Sequence, residues 1–451
     1  MAKQLSHYVC QECGAEFPKW QGQCNQCSKW NTLVETAVAS EKISSFAKKG
    51  VSGQVVDVFT LNSVKSKTFS RDKTDISELD RVLGGGIVPG SLVFIAGEPG
   101  IGKSTLLTQL ALKISLRKEN NKILYICGEE SPEQIKLRIQ RFNPSSKNSS
   151  YKSNFHFLAE TNLENILKTI EKEGKDFSLI IVDSIQTIWT QVLTGAAGSV
   201  GQVRQTSNIL LSLAKKTNIP VFLIGHITKE GAIAGPKVLE HLVDTVLYLE
   251  GETEHDFRLL RTTKNRFGAT DEVGIFKMTG KGMEEVKNPG SIFLETEKGK
   301  IEGNGRAITV SLQGVRPILV EIQALVVPTK IVIPRRVASG IDYKRLQVIC
   351  AILQKRLNIP LYSSDVFLNV AGGLKLKEPA SDLAVIMAIL SSFKNKALIK
   401  KAVCLGEVGL LGEIRKVGFM EKRIKEAQKL GYTTIIGQSE KQIFQTLKYL
   451  K

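Results

Sequence analysis

The chain has 451 residues, 42% of them apolar, which is long enough for two or three domains and too apolar for a disordered polymer. Its 62 basic against 44 acidic side chains leave a net charge of +18, which points to a polyanionic partner, most simply nucleic acid, or else to a lysine-rich solvated surface. No apolar run approaches a membrane span and residues 1–6 carry no apolar signal core, so a cytoplasmic protein without membrane contact is expected.

Four of the seven cysteines fall in the first 27 residues. Cys10 and Cys13 form one C-x-x-C pair, Cys24 and Cys27 another, with ten residues between the pairs. Two such knuckles bring four thiolates to one point, the tetrahedral set that Zn²⁺ takes, and the metal would supply folding energy to a segment with little core. Disulfides fit a cytoplasmic setting poorly. The zinc module is expected over residues 1–35, with Trp20 and Trp30 packed beside the metal. Residues 36–67 read as a linker rich in Ser, Lys, Val and Gly. Cys127, Cys350 and Cys404 sit alone in apolar stretches and read as buried packing residues.

Residues 74–83 read as a short helix ended by Gly84, Gly85 and Gly86. From 91 to 250 the chain alternates apolar β-type runs (91–96, 122–127, 155–158, 178–182, 219–224, 244–249) with amphipathic helical stretches. That alternation predicts an α/β core with a largely parallel sheet. Between the first run and its helix stands a complete phosphate loop, Gly97-Glu98-Pro99-Gly100-Ile101-Gly102-Lys103-Ser104-Thr105. Its glycines let backbone N–H groups turn toward the phosphates of a nucleotide such as ATP, Lys103 reaches the β- and γ-phosphates, and Ser104 can hold Mg²⁺. Without nucleotide, Lys103 is expected to face solvent.

Three later strand ends carry candidate chemistry. Asp183 closes the 178–182 run and would place a carboxylate near the Mg²⁺ shell, or serve as a helix cap. Glu129 and Glu130 follow the 122–127 run. One of them can orient or deprotonate the attacking water, or both can simply sit near a positive helix end. His226 ends the 219–224 run, as a γ-phosphate sensor or a structural residue. Glycine-rich segments at 194–204 and 229–237 look mobile and, with Arg204, Lys229 and Lys237, could line a nucleic-acid channel. Lys264 and Arg266, in Lys264-Asn265-Arg266-Phe267-Gly268, alternate on extended chain and so point the same way, able to reach a phosphate across a subunit interface, although the segment taken alone reads by default as a charged turn.

Near residue 300 the texture changes. Runs at 307–312 and 317–322 are close-set strands, followed by two long helical stretches, which suggests a separate α+β domain.

Taken together, the four-cysteine module, Gly-Glu-Pro-Gly-Ile-Gly-Lys-Ser, Cys-Gly-Glu-Glu-Ser and Lys-Asn-Arg-Phe-Gly resemble the bacterial RadA (Sms) family of DNA repair proteins over nearly the whole chain. The resemblance implies a RecA-like ATPase core at 68–285, a Lon-protease-like domain at 290–451, and a homo-oligomeric, hexameric ring. It also implies ATP-driven movement on single-stranded and branched DNA in homologous recombination beside a RecA-type recombinase. By that resemblance Glu129 matches the catalytic glutamate, and Lys264 and Arg266 match a basic pair serving the neighbouring subunit's nucleotide. In the Lon-like segment the nucleophile position falls on Ala380, with Ser381 one residue late, and the lysine position falls on Glu421. A scaffold without protease activity is therefore expected. Arg335, Arg336, Lys344 and Arg345 could add a basic surface for DNA there, or Arg335 and Arg336 could equally be solvated. Two rivals stay open: an ATP-switched DNA-binding scaffold without motor activity, and an ATP-dependent protease.

Overall fold

The computed structural model describes residues 6–10, 15–37, 71–117, 121–142, 154–173, 176–226, 239–251, 256–286, 294 and 303–451. Cys13, the linker beyond residue 37, and Lys229 and Lys237 lie outside the described residues. Two compact units divide the chain, Met1–Glu285 and Val286–Lys451.

The first unit opens with a small antiparallel sheet, β1 (Ser6–Cys10), β2 (Glu16–Phe17) and β3 (Leu33–Ala37), in the order β2-β1-β3. After α1 (Ser77–Val82) comes the core, β4 (Leu92–Gly97), α2 (Lys103–Ser115), β5 (Lys122–Cys127), α3 (Pro132–Phe142), β6 (Phe155–Leu158), α4 (Leu163–Glu173), β7 (Phe177–Asp183), α5 (Val200–Thr217), β8 (Val221–His226) and β9 (Thr245–Glu250). All six β-type runs of the sequence are strands. They pair in parallel in the order β9-β4-β8-β7-β5-β6. Three further strands, β10 (Phe257–Asn265), β11 (Val273–Thr279) and β12 (Gly282–Glu285), extend the sheet antiparallel beyond β9.

The strands read as unbroken apolar runs because both faces of the sheet are covered. Val93, Ile95, Ile123, Ile181 and Phe222 pack on one face with Leu106, Leu107 and Leu110 of α2. Phe94, Leu124, Ile180, Val182 and Leu223 pack on the other with Ile166 of α4 and Val203 and Leu210 of α5. This double burial fixes the strand ends, and the strand ends carry the site.

The second unit is α+β. The hairpin β13 (Arg306–Gln313) and β14 (Arg316–Pro328) turns at Gly314 and joins β15 (Arg336–Ser339) and β16 (Ser364–Val370) in the order β13-β14-β16-β15. Helices α6 (Tyr343–Leu357), α7 (Asp382–Lys394) and α8 (Met420–Lys429) accompany the sheet. Among the described residues no helix is long and apolar enough to cross a membrane.

Candidate nucleotide site and metal centre

The phosphate loop joins the end of β4 to the start of α2. Gly100 (φ +74°) and Gly102 (φ +113°) adopt left-handed backbone that side chains disfavour, and this folds the loop back over the helix N-terminus. Glu98, Pro99 and Gly100 are exposed, Ile101 is buried, and Ser104 and Thr105 are half-buried in the first turn of α2. The loop thus offers open backbone at the positive end of a thirteen-residue helix.

Lys103 is not solvent-facing as expected; it is 3% exposed. Its ammonium donates to the carbonyls of Gly97 and Glu98 at 2.9 Å each and to Nδ1 of His226 at 3.1 Å. These three bonds satisfy the donors of the buried ammonium. Burial lowers the Lys103 pKa to about 8, against the opposing pull of Asp183 and Glu129.

Three neighbouring strand ends converge on the same place. Asp183 ends β7, and its Oδ2 accepts from the Tyr125 hydroxyl at 2.6 Å. Its Oδ1 is buried with no hydrogen-bond partner among the described residues. Burial raises the Asp183 pKa, opposed by the nearby hydroxyls of Tyr125 and Ser104. An orphan carboxylate oxygen beside a phosphate-loop serine supplies the hard oxygen donors that Mg²⁺ takes.

The structure also separates the two glutamates after β5. Glu130 pairs with Arg138 of α3. Glu129 instead turns to the site, where it accepts from the Ser184 hydroxyl and lies 3.1 Å from Nε2 of His226. The bond to His226 leads the causes that hold the Glu129 pKa below the usual carboxylate value. Because Nδ1 of His226 accepts from an ammonium, Nε2 carries the proton and donates to Glu129. The backbone N–H groups of Gly128 and Glu129 both reach the Asp183 carbonyl, at 2.7 and 3.2 Å, which ties this corner to the end of β7.

Lys264 and Arg266 are elsewhere. Asn265, between them, pairs with Thr245 at the start of β9, and Thr245 pairs with Val93, four residues before Gly97. At about 3.3 Å per residue, the basic pair lies about 13 Å along the strands from the loop end of the sheet. The separation across β4, β9 and β10 adds about 10 Å. Lys264 donates to the carbonyls of Glu240 (2.5 Å) and His241 (3.3 Å), and Arg266 donates to Asp244 at 3.3 Å. Both cations therefore reach toward one segment, as alternation predicts, although β10 carries a bulge between Thr262 and Lys264.

Asp244, which sequence reasoning passed over, anchors this corner. It is 1% exposed, accepts from the Leu92 N–H (3.0 Å) and Lys215 (2.7 Å), and its carbonyl accepts from the Arg266 N–H (3.0 Å). Gly268 packs against Gly84, and Arg71 donates to the Phe267 carbonyl. The start of the segment at 194–204 is hydrogen-bonded to the helix that follows it. Buried Gln202 of α5 donates to the carbonyls of Thr190 and Leu193 and accepts from the Thr190 N–H, pinning the loop.

In the small N-terminal sheet, Sγ atoms of Cys10, Cys24 and Cys27 lie within 4.8 Å of one another, with Cys10 and Cys27 3.7 Å apart. Cys10 and Cys24 donate their backbone N–H groups to the carbonyls of Ala15 and Lys29, both at 2.9 Å. Converging sulfurs of this kind fit Zn²⁺. Trp20 and Trp30 are not packed beside the metal; they are 56% and 69% exposed.

In the second unit Ala380 is buried, and the Ser381 hydroxyl donates to the Glu378 carbonyl at 3.2 Å. Glu421 is exposed on α8. Arg345 is paired with Asp382, and Arg336 donates to the Ser364 and Leu361 carbonyls, so two of the four cations expected on a basic surface serve the fold.

Three family models match successive parts of the chain: rubredoxin metal binding domain over residues 8–35, the ATPase model KaiC over 72–289, and subunit ChlI of Mg-chelatase over 336–440. The DNA repair protein RadA of Listeria monocytogenes serovar 1/2a is 47% identical over 435 residues, 96% of this chain and 92% of its own length. The protein of the same name from Bacillus subtilis strain 168 is 48% identical over 440 residues, 97% and 93%. The core accordingly takes ATP with Mg²⁺, and the N-terminal ribbon takes Zn²⁺.

Proposed function

This chain belongs to the RadA family of DNA repair proteins, and from that premise we propose that it is an ATP-hydrolysing motor. It acts on single-stranded and branched DNA in the cytoplasm, in homologous recombination beside a RecA-type recombinase. Residues 1–35 are its metal module, 68–285 its motor and 290–451 a protease-inactive platform.

One observation carries the reading. The phosphate loop and the Lys264–Arg266 pair stand at opposite ends of the same sheet, too far apart for either cation to reach its own subunit's phosphates. A receptor at one end and cations at the other make a head-to-tail contact, and such contacts close into rings when the rotation allows. A hexamer completes each site with the neighbour's Lys264 and Arg266.

Within one site the geometry supports a role for each residue. Lys103 leaves the Gly97 and Glu98 carbonyls for the β- and γ-phosphates, whose charge far exceeds that of two carbonyls. Asp183 and Ser104 would hold Mg²⁺, which when bound neutralises charge on the phosphates. Glu129, positioned by His226 and Ser184, orients the attacking water. Cations from the neighbour stabilise charge in the transition state, so hydrolysis is coupled to subunit position.

The test is ATPase rate with and without single-stranded DNA, together with strand displacement and particle mass. The reading expects DNA-stimulated hydrolysis and displacement that requires hydrolysis. Displacement supported by a non-hydrolysable analogue would favour the switched scaffold instead, and casein degradation would favour the protease.

A further inference from the structure

Trp20 and Trp30 have no role in the nucleotide site, and the fold does not bury them. Large aromatics this exposed mark a contact surface more often than a packing error. Their six-membered rings flank one residue. A Cβ placed on Gly22 would meet the Trp30 ring at 3.5 Å and the Trp20 ring at 3.9 Å, so glycine leaves the space between the two indoles open.

The surroundings indicate what enters it. Each ring follows a lysine, in the repeated dipeptides Lys19-Trp20 and Lys29-Trp30, and both lysines are exposed. Between Phe17 and Val34 there is no carboxylate. Four thiolates around Zn²⁺ leave a double negative charge, which these two lysines offset, so the surface does not repel a polyanion. The neighbouring exposed side chains are Asn25, Gln26, Ser28 and Asn31, hydrogen-bonding groups suited to base edges.

We infer that Trp20 and Trp30, with Lys19 and Lys29, form a base-stacking clamp on the zinc ribbon for single-stranded nucleic acid. Bases lie against the indoles and backbone phosphates against the lysines. The inference rests on the reading of the chain as acting on DNA and adds to it a contact separate from the motor.

The test uses the full chain carrying Trp189→Phe, so that all tryptophan emission comes from Trp20 and Trp30. Oligo(dT) bearing a fluorophore is titrated while anisotropy and tryptophan emission are both recorded, and zinc content is measured for every variant. The clamp predicts quenching that tracks binding, and a loss of affinity of about tenfold for Trp20→Ala or Trp30→Ala. Trp30→Phe should recover part of that loss. Gly22→Leu, which keeps both rings and the cysteines, should weaken binding similarly by filling the space between them. Because stacking carries this contact, the ratio of variant to parent affinity should change little with salt. Binding seen by anisotropy with unquenched emission, or zinc-loaded variants that bind as tightly as the parent, would overturn the clamp while leaving the motor intact. Quenching by a protein partner and none by oligo(dT) would also overturn it. Flat anisotropy for every form would remove both the clamp and the DNA-acting function.

Discussion

The Lys103 ammonium and Nδ1 of His226 lie 3.1 Å apart, and the other face of the same imidazole meets Glu129 at 3.1 Å. One ring therefore links the phosphate-binding cation to the candidate water-orienting carboxylate. His226→Ala should leave ATP binding nearly unchanged, since Lys103 keeps its reach, and should lower the hydrolysis rate about 10- to 100-fold by leaving Glu129 held through Ser184 alone. His226→Gln, with a donor and an acceptor at similar reach, should recover part of the rate. Equilibrium nucleotide binding and single-turnover hydrolysis separate the two effects. A parallel loss of binding would instead assign His226 to the nucleotide pocket itself.

Asp244 is expected to be worth more than its silence in the sequence suggests. Asp244→Ala removes the partner of the buried Leu92 N–H at the start of β4 and of the Arg266 guanidinium. An unpaired buried N–H costs about 2 kcal/mol, which urea unfolding would detect. The same change should lower ATPase activity by freeing Arg266. A variant of normal stability and activity would mean that Arg266 is positioned by Arg71 and the Gly84–Gly268 contact alone.

Metal removal should act locally. Cys24→Ser, or a strong chelator, should release one zinc per chain and unfold the ribbon, whose own core is little more than Cys10, Cys24 and Leu33. ATP hydrolysis without DNA should survive. Metal analysis that finds no zinc in reducing buffer would contradict the assignment, and so would global unfolding on chelation.

The second unit carries a pH-dependent anchor. Burial alone would raise the pKa of Glu440, but bonds from the Tyr449 hydroxyl and the Gly437 N–H outweigh it and bring it to about 2. A carboxyl depressed in the folded state contributes stability that is fully present above its unfolded value near 4.5 and lost as pH falls toward 2. Glu440→Gln should therefore destabilise the unit near neutral pH, with the difference from the parent shrinking below about pH 4.5. Denaturant midpoints measured across that range check the sign.

Much of the core was legible because its signals are local. Apolar β-type runs at 122–127 and 178–182 have one physical use in an alternating chain, and the phosphate-loop glycines have φ values that only glycine takes easily. What the sequence hid depends on long-range pairing. Asp244 looks like any polar residue before a strand until Leu92 and Arg266 arrive from 152 and 22 residues away. Gln202 reads as an ordinary helix residue, yet it bonds the Leu193 carbonyl beside the glycine-rich segment. The burial of Lys103 is hidden because the pattern specifies its ligand and says nothing of the Gly97 and Glu98 carbonyls it bonds. The tryptophans were assigned to the metal because apolar rings usually seek cover, and a ribbon this small has no room beneath it.

The position of the basic pair gives the central claim its most direct test. Lys264→Ala and Arg266→Ala subunits should each bind ATP through their own Lys103 and hydrolyse it poorly; Lys103→Ala subunits, which keep both cations, should also hydrolyse it poorly. After subunit exchange is verified, Lys264→Ala–Arg266→Ala double-variant subunits are mixed with Lys103→Ala subunits at constant total protein, and ATPase rate is followed across the ratio. The account predicts a maximum at intermediate ratios, because only mixed rings place an intact phosphate loop against an intact Lys264–Arg266 pair. A rate that never exceeds either parent, despite exchange, would return these residues to a purely structural role at the foot of the sheet and contradict the ring motor.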